Sequence, residues 1–215
     1  SVRGPSTSNG IAGLKPTLGL VSRDGIVPLS LTFDTGGPMA RSVYDVAAML
    51  SVIAGVDPAD PATARSEGRS EADYTDFLDL DALNGARIGV ARQFMGADQE
   101  VDWIVNAALE TMRNAGATIV EVRLPQWLLD VKEDWYTTIR WRDFRDQIPD
   151  YLATIGPEYP KSVAQLVERS QQVLSTSPEG ATPNPTRWTL FQQEEASGLQ
   201  TDHDYIAMRD FGLPM

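Results

Sequence analysis

The apolar and polar positions of this chain are clearest in its middle, where they predict a strand–helix–strand unit. Residues 87–91 form a short apolar run typical of a buried strand, and residues 118–122 form a second run rich in β-branched residues. Between them, apolar residues recur at helical spacing over 101–115, and Gly116 follows as a helix stop. The unit predicts two parallel strands with a right-handed crossover.

A second helix is predicted to begin near residue 42. Ser42 is a suitable N-cap, with Asp45 three residues later as its acidic partner. Apolar residues then repeat at helical spacing and predict a core-facing stripe: Val43, Val46, Ala47, Leu50, Ile53 and Ala54. Gly55 suits the C-terminal end of this helix.

From residue 124 onward the pattern is mainly helical. We predict helices over residues 126–146, 162–175 and 187–208, the last interrupted at Gly198. A Ser/Thr/Pro-rich loop is predicted over 175–186. Three prolines are expected to cut the helices near them: Pro149, Pro157 and Pro160.

The first seventeen residues have no such periodicity. They are crowded with Ser, Thr, Gly and Pro, which predicts a shaped loop rather than a regular helix or a long strand. Shaped loops on a rigid scaffold often carry binding or catalytic groups. A flexible Ser/Gly-rich end is the alternative interpretation.

Composition narrows the class of protein. The net charge of −12 over 215 residues argues against nucleic-acid binding, and no apolar run approaches the roughly 20 residues that span a membrane. The chain has no Cys, which excludes disulfides and thiolate zinc sites. Its one His, His203, would have to serve any Ser-His-Asp triad.

Two further patterns have plainer interpretations than a binding site. An acidic segment could suggest a calcium loop through Asp73, Asp76, Asp79 and Asp81. Because it lacks the EF-hand spacing, a solvated acidic surface is the better interpretation. Gly89 belongs to no Gly-x-Gly-x-x-Gly pattern that would indicate a dinucleotide site.

Two sequence blocks resemble the amidase signature family, most closely its bacterial peptide-amidase-like members. Residues 1–17 read SVRGPSTSNGIAGLKPT, and residues 34–45 read DTGGPMARSVYD. The resemblance implies an α/β fold, a mixed β-sheet flanked by helices, with a helical lobe in the second half. Residues 1–123 would then form part of the α/β core including the nucleophile loop, and residues 124–215 a helical lobe that covers the substrate.

The same resemblance implies a serine hydrolase that cleaves a carboxylic amide C–N bond. Ser1 matches the nucleophile that forms the acyl-enzyme, and a Ser on a cis peptide bond and a neutral Lys activate it. Both partners match positions upstream of Ser1, so we expect the isolated chain to lack turnover. Lys15 does not match the catalytic Lys. Arg3, Ser6 and Asp34 match positions that support the nucleophile loop, and no metal or other cofactor is implied.

Partners follow from the same resemblance: a small-molecule or peptide amide as substrate, and the upstream and C-terminal parts of the same amidase. Four aromatic residues are candidates for an apolar substrate pocket: Trp135, Tyr136, Trp141 and Trp188. Ordinary core packing is the alternative for each of them.

Two other function classes stay open. In an N-terminal-nucleophile hydrolase the α-amine of Ser1 would act as the base, since such amines titrate near about 7.7–8.0. Those enzymes stack two antiparallel sheets, unlike the pattern here. The other class is a non-catalytic homologue or one subunit of a split amidase.

Overall fold

The computed structural model describes residues 2–176 and 185–213, and combines helices with two small sheets, as an α/β fold requires. The chain separates into two compact units, one of residues 1–75 and 133–215 and the other of residues 76–132. The first unit contains both signature-like blocks, and the second contains the strand–helix–strand unit. The division into core and lobe at residue 123 concerns roles and stays a prediction.

A short helix, α1 (Arg3–Asn9), lies where the composition predicts a loop, so that prediction is wrong. Pro5 is tolerated because it lies in the first turn, where its missing N–H would have no intrahelical acceptor. Three polar side chains of the helix donate to the carbonyl four residues earlier: Ser6, Thr7 and Asn9. Gly10 ends the helix in the left-handed conformation, with φ at 61°.

Two short strands and a helix follow in the first unit. β1 (Ala12–Gly13) pairs antiparallel with β2 (Met39–Ala40), and α2 (Val43–Ile53) begins directly afterwards. The Ser42 hydroxyl accepts from the Asp45 N–H at 3.1 Å and donates to its carboxylate at 2.7 Å, so the predicted cap is confirmed. The middle of the predicted stripe is buried: Val46, Ala47 and Leu50.

The second unit confirms the predicted parallel pairing. β3 (Arg87–Val90) runs parallel to β4 (Thr118–Glu121), and α3 (Gln99–Asn114) connects them. Asp98 caps α3 by accepting from the N–H of the second helical residue at 2.9 Å and of the third at 3.2 Å. These are local signals, which is why the sequence pattern locates the elements correctly.

The apolar side of α3 is largely uncovered within the described residues. Leu109 is buried, but Val101 and Ile104 are 54% and 60% exposed. Trp103, on another side of the helix, is 73% exposed. Helical periodicity therefore locates this helix correctly but does not by itself bury its apolar side.

The largest helix, α4 (Gln126–Ala153), continues through Pro149, so the prediction that this proline cuts the helix is wrong. A proline inside a helix removes one backbone hydrogen bond. Here core packing on either side of it compensates, because the helix contributes Phe144, Ile148 and Leu152 to the main apolar cluster of the first unit. Val163, the first residue of α5 (Val163–Thr176), completes that cluster.

The predicted last helix over 187–208 is divided in two. α6 (Pro185–Glu195) packs against α5, and α7 (His203–Ala207) follows and runs into a π-helical turn, Met208–Gly212. Gly198 lies between α6 and α7 with φ at 93°, which agrees with the predicted interruption. Most of the predicted 175–186 loop lies outside the described residues.

Candidate active site

The two signature-like blocks pack together around Val2. Pairing of β1 with β2 brings them into contact, and the Leu14 N–H adds a hydrogen bond to the Pro38 carbonyl at 3.1 Å. Val2 is 8% exposed. A side chain at Gly37 would collide with the Leu14 carbonyl and come within 3.0 Å of Val2 Cγ2. Glycine is therefore required for this close approach.

The same packing fixes Ser6. Its hydroxyl donates to the Val2 carbonyl at 2.8 Å, and the side chain is buried against Gly13 of β1. A Cβ at Gly13 would overlap the Ser6 hydroxyl. Ser6 thus holds the backbone at residue 2. Ser1, the candidate nucleophile, lies outside the described residues, so its side chain is not located.

A cavity of about 540 Å³ opens beside this N-terminal turn in the first unit. Most of its wall comes from the segment between β1 and β2, and Val2 and Arg3 contribute from the start of α1. Its lining includes Val2, Arg3, Lys15, Leu18, Ile26, Val27, Leu29, Phe33, Asp34 and Tyr136. The wall is mainly apolar, and the exposed side chains of Arg3 and Lys15 contribute basic groups to it.

A third basic residue of the wall, Arg23, is held in a buried ion pair. Its guanidinium donates to both carboxylate oxygens of Asp60, at 2.6 and 2.8 Å, and to the Leu31 carbonyl at 2.5 Å. The paired side chains are only 8% and 6% exposed. The hydrogen bond from Arg23 is the main cause that lowers the pKa of Asp60 to about 2, so the pair stays ionised at neutral pH.

Asp34 supports the loop that it belongs to. Its carboxylate accepts from the N–H groups of Leu29 and Ser30, at 2.7 and 2.8 Å. Arg3 lies in the first turn of α1 with an exposed side chain. Both residues line the cavity, so two of the three predicted support residues are brought together there. Their roles toward the nucleophile stay predictions.

Of the four aromatic residues predicted to line the pocket, one lines the cavity and three do not. Tyr136 lines the cavity, with its ring 5.3 Å from the Phe33 ring and the Arg140 guanidinium 5.6 Å above it. Trp135 instead packs against Gly212. The indole nitrogens of Trp141 and Trp188 are buried, and neither residue is among those lining this cavity.

Several residues of the cavity were not predicted from the sequence. Phe33 and Leu29 lie in a turn-rich segment without periodicity, so no pattern identifies them. Arg23 belongs to an Arg-Asp-Gly turn signal that predicts the turn but not its ion pair. His203 is exposed at the start of α7.

Neither a metal cluster nor a membrane-spanning helix occurs in the described part of the chain. Over residues 2–176 and 185–213, no group of three or more His, Asp or Glu side chains is arranged to hold a metal ion. None of the helices described there has the length and apolar character needed to cross a bilayer. In the acidic segment, Asp73 instead accepts hydrogen bonds from Thr75.

Comparison with known proteins identifies the relatives of this chain. The Amidase family model matches residues 1–195. A glutamyl-tRNA(Gln) amidotransferase subunit from Nitrosomonas europaea is 41% identical over 133 residues, which cover 61% of this chain and 26% of that protein. The native peptide amidase of Stenotrophomonas maltophilia has a TM-score of 0.84 at 37% identity, over 98% of this chain and 42% of that one.

A third relative extends the structural likeness. An amidase family protein of Bacillus anthracis has a TM-score of 0.77 at 25% identity, over 97% of this chain and 39% of that structure. The chain thus spans about a quarter to two fifths of the length of these relatives.

Proposed function

Because the chain belongs to the Amidase family, we propose that it carries the nucleophile, Ser1, of a hydrolase that cleaves carboxylic amide C–N bonds. The observation that carries the proposal is the cavity beside Val2 and Arg3, the two residues that follow Ser1. Both signature-like blocks contribute to its surroundings. A mainly apolar pocket with a few polar groups suits a small organic or peptide amide.

In the proposed reaction the Ser1 hydroxyl oxygen attacks the amide carbonyl carbon, and the C–N bond breaks to leave an ester on Ser1. The hydroxyl proton passes through the cis-peptide Ser to a neutral Lys and then to the departing amine. Water next attacks the ester and releases the carboxylic acid, which restores the Ser1 hydroxyl. Each step is a proton or acyl transfer, so this mechanism needs no metal or organic cofactor.

The Lys and the cis-peptide Ser belong to polypeptide that precedes Ser1 in this proposal. Two observations support a larger complete protein. The structural match covers 98% of this chain but 42% of the peptide amidase. Exposed Val101 and Ile104 on α3 also offer an apolar surface that further segments of the same amidase would cover. We therefore propose that residues 1–215 alone do not turn over amides.

The experiment compares the complete protein with its Ser1→Ala variant by measuring amine or ammonia release from a panel of amides. Loss of the attacking oxygen should lower kcat/KM by at least about 10³-fold. Ser8→Ala, an exposed change in α1, is the matched control and should retain activity within about twofold. Full activity of Ser1→Ala, or turnover by residues 1–215 alone, would contradict the proposal.

A second candidate is a non-catalytic or split-subunit homologue. The relative from Nitrosomonas europaea favours keeping it, since that protein is named as one subunit of an amidotransferase. The same Ser1→Ala variant separates the two candidates, because a binding subunit would keep its function without the hydroxyl. The N-terminal-nucleophile alternative is disfavoured, since β3 and β4 are parallel rather than parts of two stacked antiparallel sheets.

A further inference from the structure

A fully buried carboxylate, Asp143, lies near the middle of α4 and outside the candidate pocket. Its oxygens accept from the Ser30 hydroxyl at 2.6 Å, the Tyr205 hydroxyl at 2.6 Å and the Gln200 side-chain amide at 2.9 Å. Asp143 is 0% exposed, and none of the described ion pairs includes it. Burying a carboxylate is costly unless donors satisfy it, so all three hydrogen bonds matter to the fold.

The three donors reach Asp143 from different segments. Ser30 belongs to the loop of residues 29–34, which we name the pocket loop, whereas Tyr205 belongs to α7 and Gln200 to the turn before it. Burial and the hydrogen bond to Asp143 raise the pKa of Tyr205 to about 12. Tyr205 is therefore a permanent donor at neutral pH, and one side of Asp143 is anchored independently of the pocket loop.

Two hydrogen bonds, accepted by α4 residues one helical turn apart, join the pocket loop to α4, and Leu29 of the loop also packs against the apolar cluster. The Ser30 hydroxyl donates to Asp143, and the Leu31 N–H donates to the Gln147 side-chain carbonyl at 2.7 Å. Within the loop, the Asp34 carboxylate accepts from the N–H groups of Leu29 and Ser30. Arg23 also donates to the Leu31 carbonyl. Of these two hydrogen bonds with α4, the one accepted by Asp143 is buried and the one accepted by Gln147 is exposed.

The same loop forms part of the apolar wall of the cavity. Leu29 and Phe33 line it from the loop, and Tyr136 lines it from α4, two turns before Asp143. The distance between the Phe33 and Tyr136 rings, 5.3 Å, therefore depends on how the loop is held against α4. Asp143 does not line the cavity, and the hydrogen bond that it accepts from Ser30 is its direct link to the loop that does.

We propose that Asp143 is a positioning residue that holds the pocket loop against α4 and thereby sets which amides the pocket accepts. The proposal rests on the proposed function of this pocket. Amides with a bulky apolar acyl group would contact Phe33 and Leu29 and depend on the position of the loop. Amides with a small acyl group would not reach that wall and would depend on it much less.

The test uses the complete protein and two substrates with one leaving group, the p-nitroanilides of acetic acid and of phenylacetic acid. Ser30→Ala removes the hydrogen bond that the pocket loop donates to Asp143, and Tyr205→Phe removes the bond of equal length that α7 donates to it. We expect Ser30→Ala to raise KM for the phenylacetyl substrate about tenfold, with KM for the acetyl substrate and both kcat values within about twofold. Tyr205→Phe should leave the ratio of the two KM values unchanged.

Asp143→Asn should also raise KM for the phenylacetyl substrate and not for the acetyl substrate. If that variant does not fold, the comparison of Ser30→Ala with Tyr205→Phe still tests the proposal. Equal changes for both substrates, or the same change in Tyr205→Phe as in Ser30→Ala, would overturn the proposal. Hydrogen–deuterium exchange gives a readout that needs no turnover: the amides of residues 29–34 should exchange faster in Ser30→Ala than in Tyr205→Phe. If the wild type hydrolyses neither substrate, the amide panel with Ser1→Ala still decides the proposed function, and this exchange result alone decides the positioning role.

Discussion

The two compact units of this chain differ in what their interiors contain. In the first unit, buried carboxylates have dedicated donors: Arg23 for Asp60, Ser30 and Tyr205 for Asp143, and two arginines for Glu194. In the second unit the buried apolar residues are Leu109 and Ala117, while Leu80 and Trp103 are largely exposed. The predicted helix α2 forms in the first unit, and β3, α3 and β4 form in the second. A pattern that predicts an element therefore does not also predict that its apolar side is covered.

That difference explains why the candidate site belongs to the first unit. A binding pocket needs walls held within a fraction of an ångström, which buried and mutually satisfied polar groups provide. The wall that contains Phe33 is fixed through Ser30 and Leu31 to two residues of α4. The second unit offers an apolar surface instead, which suits contact with further polypeptide.

The sharpest test of the comparison uses two isoleucines of equal size in the isolated chain. Ile139 is 0% exposed in the first unit, and Ile104 is 60% exposed in the second. Ile139→Ala should lower the free energy of unfolding by about 2–5 kcal/mol, because it leaves a cavity. Ile104→Ala should cost less than about 1 kcal/mol. Urea unfolding followed by circular dichroism measures both.

In the complete protein the same pair reports on whether α3 becomes covered. If further segments of the amidase pack on Ile104, its truncation should cost about as much as a core substitution, roughly 2–5 kcal/mol. An Ile104→Ala cost that stays below about 1 kcal/mol there would argue against that covering surface. Equal costs of both variants in the isolated chain would contradict the claim that Ile139 is covered and Ile104 is not.

The buried ion pair of the first unit, Arg23 with Asp60, should make stability depend on acid. The folded pKa of Asp60, about 2, lies below its ordinary value of 3.8. Its contribution to stability is therefore complete above about pH 4 and is lost as pH falls toward 2, a change of about 2 kcal/mol. Asp60→Asn should remove this part of the pH dependence, measured by urea unfolding at a series of pH values.

At neutral pH, the buried pair of Arg23 with Asp60 can be compared with an exposed pair in the second unit, Arg92 with Glu121. The side chains of the exposed pair are 39% and 76% exposed. Arg92→Gln should change the free energy of unfolding by less than about 0.5 kcal/mol at neutral pH, whereas Arg23→Gln should cost well over about 1 kcal/mol. Similar losses from both variants would mean that burial does not distinguish the two pairs.

The smallest expected difference is between the two helix caps. Ser42 caps α2 in the first unit and Asp98 caps α3 in the second, each by accepting backbone N–H groups at 2.9–3.2 Å. Replacing either by Ala should cost about 1 kcal/mol, since capping is local and independent of tertiary cover. A cap substitution that is costly in one unit and neutral in the other would show that tertiary context controls even these local contacts.

The sequence predicts what depends on neighbours along the chain. The Ser42 cap and the parallel pairing of β3 with β4 follow from local patterns and are confirmed. The prediction of a loop at residues 1–17 fails over residues 3–9, because Pro5 lies in a first turn, where proline does little harm to a helix. Pro149 is accommodated inside α4 because core packing outweighs a local penalty.

Contacts between distant segments are not visible to such patterns. The buried bond from Ser30 to Asp143 joins residues 113 positions apart, and nothing in a charged helical segment marks Asp143 as the buried acid. The close approach at Gly37 likewise depends on Leu14, which precedes it by a whole loop. Resemblance of the two blocks predicts Ser1 as the nucleophile, whereas the residues of the pocket wall are found only from the three-dimensional arrangement.

The central claim, that Ser1 is the attacking group, has a direct chemical test. The complete protein is treated with a serine-reactive fluorophosphonate, digested, and analysed by fragment mass spectrometry, with an amide substrate added to a parallel sample for protection. We predict one stoichiometric label on Ser1, loss of hydrolysis in step with labelling, and protection by the substrate. Labelling at Ser6 or Ser8 instead, or continued hydrolysis by protein fully labelled at Ser1, would contradict it.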